Sequence, residues 1–412
     1  MTGDALRFLH ASDFRLGEPM RGLRYIPEIW RNRLRDAPYA ATASVFDTAL
    51  DEEVDFVVLT GDLIDLRGCS PYAINFLLEQ FEKLDQAGTP IYWISGELDQ
   101  HRYWSKAIKF PENVQLFGAN GVESCTGSSP GIFQYSIVGS SFDGKRTTNT
   151  SAYAGFGGPS QTTIALCYGD VEISDDKSNI AYWACGGLED KLQVESGTVE
   201  LNYPGSPQPR TSNVSSAGCT LLSVSDENVV VANDVPVAGI RWSTVTVQVG
   251  TEDSLVDVQE RCLSAISEDL SNYPAHPVLF TVQLKVDAGH WLIGPRQFTT
   301  AGLANQLIQI VGDALSDAMI ADVTVESPME TLSPGFAYDG VAKDFSEMTE
   351  KIWSDGWGQM DLSDKLPHGM PIDMRLVRED IDGMHTIKTA ATFGVNTLDA
   401  KSNSPESEDR AA

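Results

Sequence analysis

The sequence predicts an α/β protein built on two packed sheets, followed by a small α+β domain. Three observations carry that reading. The runs LRFLHA, VDFVVL and IYWIS are largely apolar and stop at small or acidic residues, as strands buried on both faces do. A stretch of helical period separates the second run from the third, the spacing of a βαβ unit and hence of a parallel sheet. Beyond about residue 236 a second alternation of strand and helix patterns begins, long enough for its own core.

Taken in order, Leu6–Ala11 reads as a first strand that delivers Asp13 at its carboxyl end. A helical stretch follows, roughly Pro27 to Asp51, carrying Arg31, Arg33 and Arg35, with Arg21 and Arg24 just ahead of it. This basic concentration in an acidic chain suits a solvated helix face first and a phosphate-contacting patch second. VDFVVLTGDLID is a second buried strand ending at Gly61-Asp62. Ser70 and Pro71 then form an N-cap and first turn, Ile74, Leu77, Leu78, Phe81 and Leu84 share one helical face, and Gly88 closes the helix. The third strand lies within Ile91–Gln100 and presents Glu97, Leu98 and Asp99 at its tip. A leucine is unexpected there, because such strand tips usually supply polar groups to a pocket.

From Val114 to about Val231 the strands shorten and Gly, Ser and Asp turns separate them. That pattern predicts a second, more antiparallel sheet with a hairpin around Asp226-Glu227-Asn228. In the last alternation WSTVTVQV, VLFTVQLKV and MIADVTVE read as strands. Leu255, Val258, Cys262, Ile266 and Leu270 mark one intervening helix and Leu303–Leu315 the other. After Pro328 the pattern weakens to short amphipathic pieces such as Val341–Trp353, which suit helices docking on something else, and 399–412 has the composition of a disordered tail. The predicted domains are therefore 1–235, 236–328, 329–398 and 399–412.

Composition bounds the function. With 412 residues and 42% hydrophobic content the chain has material for real cores. A formal net charge of −29 means that the average surface repels nucleic acid and anionic membrane, so any DNA contact needs a local basic patch or a partner. No apolar run reaches membrane-spanning length, and Met1 leads into a strand pattern with no signal-peptide core, so the expected location is cytoplasmic with no membrane partner. Six cysteines without a CxxC pair suit a reducing compartment.

The strand-end motifs, in order, are SDFR, TGDLID, SGELD, YGD, GGLED and YPGSPQPR. This series resembles the calcineurin-like metallophosphoesterases, and specifically the SbcD-type DNA double-strand-break repair exonucleases, over roughly the first 235 residues. The resemblance implies a four-layer α/β/β/α sandwich with a small α+β capping domain after it. It also implies a site of two divalent metals, held by carboxylate, imidazole and amide groups, that activate water against a phosphodiester.

The motifs depart from that family at every imidazole. Its Asp-x-His is here Asp13-Phe14-Arg15, and its Gly-Asn-His-Asp is Gly96-Glu97-Leu98-Asp99. Its His-Gly has become Tyr168-Gly169, and its Gly-His-x-His has become Gly186-Gly187-Leu188-Glu189. Asp13 and Asp62 are kept as ligand-type carboxylates, while Leu98 stands where the resemblance puts the catalytic histidine, so no catalytic residue is assigned. None of the six histidines, at 10, 101, 276, 290, 368 and 385, falls on a ligand position.

Asp13, Asp62, Glu97 and Glu189 would nevertheless share one pocket, where two carboxylates about 4 Å apart repel by roughly 4 kcal/mol at an effective dielectric near 20. Two ways of neutralising them are open. Arg15 could bridge Asp13 and Asp62 in place of metals, so that no cofactor is expected; alternatively one hard cation, Mn²⁺ or Mg²⁺, could sit on the carboxylates. The functional expectation is a catalytically degenerate scaffold subunit, with an active metal-dependent DNA exonuclease or phosphodiesterase as the alternative. The resemblance implies an SMC-like coiled-coil ATPase partner gripping Leu332–Val395 and leaves room for a homodimer; Arg21, Arg24, Arg31, Arg33 and Arg35 are the candidate DNA contacts.

Overall fold

The computed structural model describes residues 6–128, 134–158, 161–174, 179–196, 199–214, 217–225, 228–272, 276–287 and 300–326. The predicted segment after Pro328, including the tail, lies outside them. The chain divides into two compact units, one of Met1–Val245, Ile266–Thr281 and Ile308–Asp322, the other of Thr246–Ala265, Val282–Leu307 and Val323–Ala412.

The first elements are β1 (Leu6–Ala11), α1 (Glu28–Asp51), β2 (Phe56–Leu59), α2 (Pro71–Ala87), β3 (Ile91–Trp93) and β4 (Val114–Leu116). Next come β5 (Glu123–Ser128), β6 (Gln134–Gly139), β7 (Thr147–Asn149), β8 (Thr162–Tyr168), β9 (Asp170–Glu172) and β10 (Tyr182–Gly186). β11 (Leu192–Ser196), β12 (Val199–Tyr203), β13 (Cys219–Val224) and β14 (Val230–Val235) complete this series. The last alternation is β15 (Arg241–Val249), α3 (Leu255–Asn272), β16 (Val278–Val286), α4 (Thr300–Ala314) and β17 (Ala318–Glu326), whose strands form a sheet in the order β15-β16-β17.

One six-stranded sheet runs β14-β13-β1-β2-β3-β4. β1 to β4 are parallel, and β13 returns antiparallel to β1 with β14 beside it. β4 and the β13–β14 hairpin, read from sequence as parts of the second sheet, thus belong to the first. The other six-stranded sheet runs β11-β12-β10-β8-β6-β5. Its four central strands are parallel and only its edges antiparallel, which corrects the expectation that it would be more antiparallel than the first. Parallel strands need crossovers, and among the described residues those between β6 and β12 are made of loops, a 3-10 turn and short strands rather than helices, so the usual helical signal is missing.

Alternation along the strands sorts the core into layers. Phe8, Phe56, Val58 and Ile94 of one sheet meet Tyr135, Ile137, Ile164, Leu166 and Tyr182 of the other. Leu9, Val57, Leu59 and Trp93 point the opposite way and are covered by Phe46 of α1 and by Leu77 and Phe81 of α2. The outer face of the second sheet packs Val138, Ala165, Cys167 and Trp183 under Tyr153 of a 3-10 turn. α2 starts at Pro71 and stops where Gly88 turns left-handed at φ 75°. Because β1, β2 and β3 are parallel neighbours, their carboxyl ends lie at one edge, which places the loops starting at Asp13, Asp62 and Gly96 together.

Candidate functional site

Asp13 and Arg15 follow β1, Asp62 follows β2, and Gly96 to Asp99 follow β3. The pairing of the first two strands continues into the loops: Asp13 N donates to Gly61 O at 3.0 Å, Arg15 N to Asp62 O at 2.9 Å and Leu16 N to Leu63 O at 3.0 Å. Asp13, Arg15 and Asp62 all hold left-handed backbone, at φ 54°, 48° and 53°. Such conformations cost non-glycine residues about 1–3 kcal/mol and persist only where the surroundings over-determine them.

Arg15 lies among carboxylates. Its guanidinium is 3.4 Å from Asp13, 3.5 Å from Asp62, 3.1 Å from Glu189 and 3.4 Å from Glu18. Asp13 is fully buried and Asp62 nearly so. Asp13 Oδ2 also accepts from the Ser12 hydroxyl at 2.7 Å and from Gly187 N at 3.0 Å. Asp62 Oδ1 accepts from Leu98 N at 2.9 Å, and Oδ2 from the Tyr168 hydroxyl at 2.8 Å. Burial, joined by the charge of Asp62, pushes Asp13 up to about 7, while Arg15, Ser12 and Gly187 pull it back. Asp62 is raised for the same first reason, opposed chiefly by Arg15.

The other strand-end positions singled out in the sequence take different roles. Leu98 contributes its backbone N–H to Asp62. Glu97 does not join the cluster; it pairs with Arg146 at 3.0 Å, a residue outside every strand-end motif. Glu189 holds both Arg15 and Arg21, the latter at 2.6 Å, through Oε1, and its buried Oε2 has no hydrogen-bond partner. Gly187 is left-handed at φ 91°, and a Cβ there would lie 3.0 Å from the Tyr168 ring, so the tyrosine occupies the space a side chain at 187 would need.

Asp99, passed over in the sequence, organises the third loop. It is fully buried and accepts from Asp62 N at 3.1 Å, Leu63 N at 3.0 Å and Gly96 N at 2.6 Å. Burial pushes it up to about 7 against those three donors. The signal is present in the sequence, since an acid after a Gly-turn at a strand tip is well placed to gather loop amides, although the apolar Leu98 beside it is the more conspicuous feature of SGELD. His10 is buried between the Tyr182 and Thr60 hydroxyls at 3.0 and 2.9 Å, and burial drives it down to about 3, which fits a neutral core histidine.

The candidate DNA contacts are mostly engaged: Arg21 by Glu189, Arg24 by Asp322, Arg33 by Asp317 and Arg35 by Asp36, while Arg31 is exposed without an ion pair among the described residues. A second basic stretch follows the third loop. Arg102, Lys106 and Lys109 are exposed with no carboxylate partner among the described residues, and the Arg102 guanidinium lies 4.9 Å from the Tyr103 ring centre. Trp104 anchors this stretch by donating to Asp99 O at 3.0 Å and packing against Trp93 and Phe110.

Comparison with known proteins agrees with the fold. Residues 6–179 match the calcineurin-like phosphoesterase family. The chain is also 30% identical over 219 residues to the uncharacterized metallophosphoesterase YhaO of Bacillus subtilis, a match spanning 50% of this chain and 54% of that protein. The chain thus covers about half the length of this relative. No helix among the described residues is long and apolar enough to cross a membrane.

Calcineurin-like phosphoesterases typically work with divalent metals. The side chains present here do not fit such a centre. A guanidinium stands within 3.5 Å of Asp13, Asp62 and Glu189, with Glu97 turned to Arg146. Among the described residues no group of three or more His, Cys, Asp or Glu is arranged to hold a metal ion. Arg15 supplies charge and five donors but no lone pair for a cation.

Proposed function

We propose that the chain, whose residues 6–179 match the calcineurin-like phosphoesterase family, is a non-hydrolytic protein of that fold and a scaffold subunit of a DNA-repair type of complex. The observation that carries this reading is the Arg15 guanidinium lodged against Asp13, Asp62 and Glu189. A guanidinium there neutralises the carboxylates but activates no water, and Leu98 transfers no proton. Losing a metal-activated nucleophile leaves nothing at neutral pH to make hydroxide available, and losing a positioned acid or base removes a further ~10²–10⁴-fold in rate.

On this reading the partner is an SMC-like coiled-coil ATPase, in keeping with the SbcD-type resemblance, and it grips residues 332–395, outside the described part of the chain. Phosphate contact falls to Arg102, Lys106 and Lys109, which have no carboxylate to compete for them among the described residues, more than to Arg21, Arg24, Arg33 and Arg35.

The test is hydrolysis of bis-p-nitrophenyl phosphate and of linear and single-stranded DNA with Mn²⁺ or Mg²⁺, comparing the full chain with Asp62→Ala. Equal background rates are expected. Activity that Asp62→Ala abolishes, together with stoichiometric metal retained after dialysis, would establish the rebuilt-site enzyme instead.

A further inference from the structure

The YPGSPQPR stretch stands apart from the carboxylate network, yet it buries a full positive charge. Arg210 is completely buried, with no carboxylate within ion-pair distance among the described residues. Its donors go to main-chain carbonyls: Nη2 to Phe14 O at 2.6 Å and Arg15 O at 3.0 Å, and Nη1 to Gln208 O at 3.3 Å. Nε has no partner. Burying an ion without a counter-ion is expensive, and a plain packing role would be filled at less cost by an apolar side chain.

What the charge holds is the turn between Asp13 and Arg15. The Ser206 hydroxyl donates to Asp13 O at 2.8 Å, so side chains of one loop take three successive carbonyls, those of Asp13, Phe14 and Arg15. The loop is itself pinned from behind. Gln208 Oε1 accepts from Gly239 N and Ile240 N at 3.0 and 3.1 Å, its Nε2 donates to Ile240 O at 2.9 Å, and Trp242 Nε1 donates to Pro209 O at 3.1 Å.

We propose that Arg210 is the positioning residue of the site: by gripping the carbonyls of Phe14 and Arg15 it fixes the left-handed turn that directs the Arg15 guanidinium onto Asp13, Asp62 and Glu189. This rests on the reading of Arg15 as the cation of the site, and deepens it by saying what aims that cation. The requirement is for a guanidinium, because one Nη2 group spans two adjacent carbonyls while the charge stays fixed; a lysine at 210 keeps the charge and loses the planar fork. The same loop ties the turn to the Gly239–Trp242 connection that leads into β15.

The full chain labelled with ¹⁵N-arginine tests this, with the Arg15 Nε–H signal identified by its loss in Arg15→Lys. In the native chain that signal is expected to be resolved from those of exposed arginines and to exchange slowly with solvent. Arg210→Lys is expected to move it towards the exposed position and to speed its exchange at least about tenfold, with cooperative unfolding retained and the Arg7 and Arg261 signals unmoved. Ser206→Ala, which frees Asp13 O and removes the hydroxyl's 3.0 Å contact to Gln208 O inside the gripping loop, is expected to shift the same signal in the same direction and serves alone if Arg210→Lys does not fold. An unmoved Arg15 signal in either folded variant overturns the proposal and leaves the role of Arg15 intact. An Arg15 signal already indistinguishable from exposed arginines in the native chain overturns both.

Discussion

Replacing Arg15 by methionine keeps most of the side-chain volume and removes the only cation within ion-pair distance of Asp13 and Asp62 among the described residues. At 3.4 and 3.5 Å, with an effective dielectric near 20, each contact represents about 5 kcal/mol of Coulomb attraction before desolvation is counted. Taking away one member of such a buried cluster costs about 3–5 kcal/mol net, because the remaining charges are stranded. The carboxylates have one escape, which is to bind a proton. Burial already holds Asp13 near 7, and loss of Arg15 raises it and Asp62 further. The expected result is therefore pH-dependent: urea unfolding of Arg15→Met at pH 8 shows the full loss of about 3–5 kcal/mol, and at pH 5.5 a loss at least about 1 kcal/mol smaller. Equal losses at the two pH values, or none at pH 8, would refute the account of Arg15 as a counter-ion.

Three further outcomes follow from the same contacts. In the native chain Asp13 and Asp99 sit near 7, above the ordinary 3.8, so the folded state binds more protons between those values. Their contribution to stability therefore falls as pH rises from about 4 to about 7, by up to ~1.4 kcal/mol per pH unit for each group; urea midpoints at pH 5, 6 and 7 show the slope, and Asp99→Asn flattens it. Gly96→Ala places a Cβ against Asp62 Oδ1 and 2.5 Å from the Tyr168 ring, for a destabilisation of about 1–3 kcal/mol or more in thermal unfolding. The triple reversal Arg102→Glu, Lys106→Glu, Lys109→Glu lowers the slope of log affinity for duplex DNA against log salt by about 2–3 in fluorescence anisotropy, while Arg33→Glu leaves that slope unchanged.

Legibility followed the physical range of each signal. β1, α2 and the β15 to β17 alternation were readable because periodicity and end residues such as Pro71 and Gly88 are local. The sheet membership of β4 and of β13 with β14 was not: β4 is a three-residue strand with little pattern of its own, and β13 pairs with β1 across more than two hundred residues, which leaves no local mark. The parallel centre of the second sheet was hidden because its crossovers have no helix among the described residues. At the site, strand-end logic brings Asp13, Arg15 and Asp62 together, since all three sit at carboxyl ends of adjacent parallel strands. It could not supply Arg146, which takes Glu97 out of the cluster from a turn without a motif. Nor could it assign Arg210, whose partners are main-chain carbonyls nearly two hundred residues earlier and leave no trace in side-chain chemistry.

The ring of Tyr168 also limits which side chains the site can hold. It stands 3.0 Å from where a Cβ at 187 would be and 2.5 Å from one at 96, while its hydroxyl binds Asp62. A side chain introduced at 187 collides with the tyrosine, and a smaller residue introduced at 168 leaves Asp62 without its donor and a gap beside Gly187. Positions 168 and 187 are therefore coupled through one aromatic ring: what either can hold is set by the other, independently of the charges around them.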